Sequence, residues 1–127
     1  MKLTLAMLVL ASLPALAGPN PFQVSNRAEE ILLANLDRLT YEEEGQTLAL
    51  VDKIDPLLAL VDAGTAEAES ACKRASTGSH YNCSHHITML ADRQDRTVVN
   101  YRLVRGADGW PTEFVDTMVT ISKPIPK

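Results

Sequence analysis

The apolar residues of this chain change their spacing part-way along, and that change restricts the fold more than any single motif does. As far as about residue 61 they recur every three or four positions, and from residue 83 onward they alternate. The first spacing gathers apolar side chains on one side of a helix, and the second on one face of a strand. Helices followed by strands is the order of an α+β domain.

The helical half carries its own punctuation. Asn20, Pro21 and Gln23 supply an N-cap, a proline at the first helical position and a capping-box partner. Val24, Ala28, Ile31, Leu32, Leu36 and Leu39 then form one stripe. The run Glu42-Glu43-Glu44 opposes the dipole at a helix carboxyl end, so Gly45 marks a stop. A second helical stretch runs from Thr47 through Leu50, Val51, Ile54, Leu57, Leu58 and Val61, and Pro56 predicts a kink or a division into two short helices. A third is expected from Thr65 to Gly78, with Glu67 and Glu69 early, Lys73 and Arg74 late, and Ala68, Ala71, Cys72 and Ala75 inward.

The alternating half predicts strands over 83–91, 97–104 and 114–121, joined by Asp92-Arg93-Gln94-Asp95 and Gly106-Ala107-Asp108-Gly109. The expected fold is therefore α+β, with two to four N-terminal helices packed on one face of a three-stranded antiparallel meander. Alternation assigns Ile87, Met89, Val99, Tyr101, Leu103, Val115, Val119 and Ile121 to the covered face. His86, Thr88, Asn100, Arg102, Asp116 and Thr120 fall on the face that water reaches.

The first 17 residues have the make-up of a cleavable signal peptide: Lys2, the apolar run from Leu3 to Ala11, a break at Ser12 and Pro14, then Ala15-Leu16-Ala17. The run is too short to span a bilayer. Cleavage after Ala17 leaves a domain over 18–122 and an extended tail at 123–127, located in the periplasm or outside the cell. There Cys72 and Cys83 are expected to form a disulfide. The 127-residue chain has a net charge of −4, which gives no electrostatic footprint for nucleic acid or an anionic membrane.

The densest group of ligating side chains is His80-Tyr81-Asn82-Cys83-Ser84-His85-His86. Imidazole and thiolate suit zinc or copper, so His80, His85 and His86 are candidate metal ligands. Two arguments oppose the site. A disulfide consumes the Cys83 thiolate, and a strand sends His85 and His86 to opposite faces. No serine elbow of the G-x-S-x-G type and no C-x-x-C pair is present. Without such motifs no catalytic residue or resident cofactor is expected.

The reading that follows is a small exported, non-enzymatic binding domain that engages a protein partner, of the kind found among inhibitor and immunity proteins. Trp110, Arg102, Asn100, His86 and Asp116 are its candidate contacts, tryptophan and arginine being enriched in binding hot spots. The alternative is a small-molecule or metal-binding domain that uses a pocket between helices and sheet or the three histidines.

Overall fold

The computed structural model describes residues 18–123. The expected signal segment 1–17 and residues 124–127 of the tail lie outside the described residues.

Helix α1 spans Pro21–Ala34 and begins as its sequence predicts. Asn20 Oδ1 accepts the Gln23 amide proton at 2.8 Å, and Gln23 Oε1 accepts that of Asn20 at 2.9 Å. These two bonds satisfy amides that the first helical turn would leave orphaned. Val24, Ala28 and Leu32 form its buried stripe. The helix ends at Asn35, well before the acidic run, and a single 3-10 turn over Leu36–Arg38 follows.

The acidic run is not helical. Strand β1 (Thr40–Glu43) and strand β2 (Gln46–Ala49) form a hairpin around Glu44-Gly45. Both turn residues have positive φ, 52° and 80°, the geometry of a two-residue turn matched to strand twist. The three glutamates thus escape the helix carboxyl end that disfavours them and point into water instead.

Helix α2 (Leu50–Asp62) starts directly after β2 and continues through Pro56, so the expected division into two helices does not occur. Pro56 and Asp52 are both exposed, so water reaches the helix at the point where a backbone bond is lost. Leu50 and Ile54 are fully buried on the opposite side.

Residues 65–78 are the largest correction. They form strand β3 (Ala66–Arg74) and a turn rather than a third helix. Alternating Ala-Glu-Ala-Glu suits either state, and local helix propensity yields here to nine residues of antiparallel pairing with strand β4 (His80–Met89). Cys72 stands directly opposite Cys83 in that register, and the two form a disulfide with a Cα–Cα separation of 4.1 Å.

Strand β5 (Arg96–Arg105) pairs with β4 along its length. The expected third strand is broken into β6 (Pro111–Phe114) and β7 (Met118–Ser122), which follow one another along the free side of β5. Asp116 Oδ1 accepts the Met118 amide proton at 3.1 Å and closes the bend between them. The bend shifts the alternation by one, so Phe114 and Val119 both face inward while Val115 is 43% exposed and not buried as expected.

The result is still α+β, but the meander is only part of a seven-stranded mixed sheet in the order β2-β1-β7-β5-β4-β3, with β6 also on β5. The β1–β7 pair is parallel. The two helices are separated in the chain by the β1–β2 hairpin, so they are not both ahead of the strands. They cover the face that carries Tyr81, Cys83, His85, Ile87, Val99, Tyr101, Leu103 and Val119, all buried. Among the described residues no helix is long and apolar enough to cross a membrane.

Candidate functional site

On the uncovered face, side chains from neighbouring strands fall into cross-strand rows. Lys73, Asn82 and Arg102 form one row, and Ala71, Ser84, Asn100 and Thr120 the next. The second row is built from short side chains and the first from long ones. A floor beside a wall leaves an open hollow of about 620 Å³, which Asp116 and Met118 also line.

The hollow is polar and cationic within an acidic chain. Lys73 and Arg102 bring two positive charges and Asp116 one negative, and neither cation is ion-paired among the described residues. Asn82, Asn100, Ser84 and Thr120 add both donors and acceptors. Cations without an ion-pair partner, set among amides and hydroxyls, are suited to carboxylates or exposed peptide carbonyls.

Three of the five partner-contact candidates therefore meet here: Asn100, Arg102 and Asp116. His86 lies one row further along, on the same face, with Nε2 3.0 Å from Ser84 Oγ. Trp110 does not join them. Its ring packs beneath the Arg27 guanidinium of α1, 5.3 Å from the ring centroid, beyond the β5–β6 turn. Lys73, Asn82 and Ser84 escaped the sequence reading. Extending the alternation back from His86 finds the last two, whereas Lys73 was hidden by the apparent helix.

The three histidines do not converge. His86 is on the open face, His80 sits at the start of β4 beside Ser79, and His85 is buried under α1 at 1% exposure. Cys83 is bonded to Cys72. Among the described residues no three His, Cys, Asp or Glu side chains gather as a metal site.

His85 instead enters a part-buried polar cluster. Ser70 donates to Glu29 Oε1 at 2.8 Å, and its oxygen lies 2.7 Å from His85 Nδ1. Since the single hydroxyl proton goes to Glu29, Nδ1 carries the proton that Ser70 accepts, and Nε2 is left as a buried lone pair without a partner. Burial holds the imidazole below the usual histidine range, helped by neighbouring His86 and opposed by Glu29. The Tyr101 hydroxyl, also buried and unpartnered, is pushed well above the usual tyrosine range by burial and by the Glu29 charge.

Serine, histidine and glutamate within hydrogen-bonding reach invite comparison with a nucleophilic triad. The wiring differs. In a relay the acid orients the far ring nitrogen, whereas Glu29 binds the serine and lies 3.4 Å from the same Nδ1. His85 itself is buried, and only Ser70 and Glu29 of the three reach the groove between α1 and β3. The cluster instead ties α1 to β3 and β4, and the open-face hollow is the better candidate site.

Comparison with known protein families, characterised proteins and solved structures finds no match for this chain.

Proposed function

We propose that this is an exported binding domain that recognises an acidic or acceptor-rich segment of a protein partner through the open face of its sheet. The observation that carries the reading is the polar hollow where Lys73 and Arg102 stand unpaired beside Asn82, Asn100 and Asp116. Neither cation has to leave an internal ion pair to contact an outside acceptor, so only its hydration opposes the contact. Export is supported by the composition of residues 1–17 and by the disulfide, which persists in oxidising compartments.

Trp110 is outside this site, because its ring is already engaged by Arg27. Placing a photo-crosslinking residue at Thr120, on the rim of the hollow, tests the reading in cells. A control copy carries the same residue at exposed Asp55 on the helix side. The expected result is a discrete protein adduct from position 120 that disappears when Arg102→Glu is added, with a chain starting at Gly18. Equal adducts from both positions, or none from 120, would overturn the open face as the site.

A further inference from the structure

We propose that two copies of this chain join through their β3 strands, antiparallel across a two-fold axis at Ala71, into one continuous sheet. The proposal does not rest on the partner reading above; it commits Lys73 to the joint and leaves Arg102 as the free cation of each hollow. Strand β3 is an outer strand of the sheet and pairs with β4 without interruption over nine residues. It has no proline and no bulge, the devices that usually blunt such an edge. Its other side presents unpaired backbone donors and acceptors.

The charges along the edge choose the occupant. Glu67 and Glu69 precede Ala71, and Lys73 and Arg74 follow it. Edge charges that only deter association work best with a single sign, since like charges then face each other in any pairing. A strand that is acidic in its first half and basic in its second complements its own antiparallel copy and repels a parallel one. Centred on Ala71, the register sets Glu69 of each copy opposite Lys73 of the other on the open face. Glu67, already paired with Arg93, falls opposite Ala75 and stays free of the joint.

A residue on the axis meets its own image, and the Ala71 methyl lets the backbones approach there without a clash of like groups. A second, independent feature points to the same edge. Phe22, the most exposed large apolar side chain described, is 74% exposed and lines the groove of about 500 Å³ between α1 and β3. Ala68 and Ala71, also in that groove, are exposed as well. The second strand fills this groove and covers both rings. The disulfide staples β3 to β4 in the middle of the joint and keeps the edge straight enough to pair. The two open faces then become one, with two hollows flanking the axis.

Sedimentation of the purified protein over a concentration series reads this directly. Twice the monomer mass at high concentration is expected. Glu69→Lys or Lys73→Glu alone places like charges at both symmetric positions and weakens the dimer about tenfold. Glu69→Lys with Lys73→Glu restores opposite pairs and recovers the dimer. Both positions are exposed, and unchanged circular dichroism verifies that the variants fold. A monomer up to about 1 mM, a dimer indifferent to either single reversal, or a double variant that stays weakened would each overturn the proposal.

Discussion

His85 and His86 are neighbours in sequence on opposite faces of one strand, the first buried and the second half-buried. Each sits beside a serine: His85 Nδ1 is 2.7 Å from Ser70, and His86 Nε2 is 3.0 Å from Ser84. In the first pair His85 is buried beneath α1 and half-buried Ser70 is shared with Glu29. The second is on the water-facing side of the same strand, next to the hollow. The same two residue types thus provide a structural tie on one face and water-facing polar groups on the other. Burial, rather than residue type, decides which role they take.

The two faces differ most in stability, and strand β5 holds the sharpest test. Leu103 is fully buried, whereas adjacent Arg102 is exposed. Leu103→Ala is expected to cost about 2–5 kcal/mol through lost burial and the cavity left behind. Arg102→Ala should stay within about 0.5 kcal/mol of the unmodified protein. Chemical denaturation compares them, and equal losses would mean that the open face also carries fold stability.

The covalent tie between β3 and β4 comes next. Replacing both Cys72 and Cys83 by alanine releases an 11-residue separation and should lower stability by about 3 kcal/mol. Denaturation midpoints with and without reductant measure the same quantity, and a smaller loss would show that pairing alone holds β3.

The smallest effect concerns the buried histidine, His85. Burial lowers the folded-state pKa of His85 below its ordinary value of 6.5. As pH falls below 6.5 the unfolded chain takes up a proton that the folded one refuses, so stability declines until the folded pKa is reached. In a series of melting temperatures from about pH 7 to pH 5, His85→Gln should flatten part of this decline. A curve parallel to that of the unmodified protein would overturn the buried state of His85.

How far these features were legible in the sequence depends on the distance over which each is encoded. The capping box of α1 lies within four residues, and the alternation of β4 and β5 needs only strand geometry. Both are readable from the chain alone. The disulfide follows from two cysteines and a compartment. Helix α2 was legible from Leu50 onward, but residues 47–49 of the expected stretch belong to β2, and at Pro56 exposure to water made the proline tolerable. The Glu29–Ser70–His85 cluster joins residues 41 and 15 positions apart, and no local pattern announces it.

By itself, then, the sequence determined the start of α1, the inward and outward sides of β4 and β5, and the pairing of its two cysteines. Each of these is set by neighbours a few positions away or by a choice of one. Tertiary structure alone decided that 66–74 is a strand, that the acidic run is a hairpin turn, and that β1 lies parallel to β7. Those segments have nearly balanced local preferences, so distant backbone partners and shared burial tip them, and such partners leave no mark in the sequence nearby.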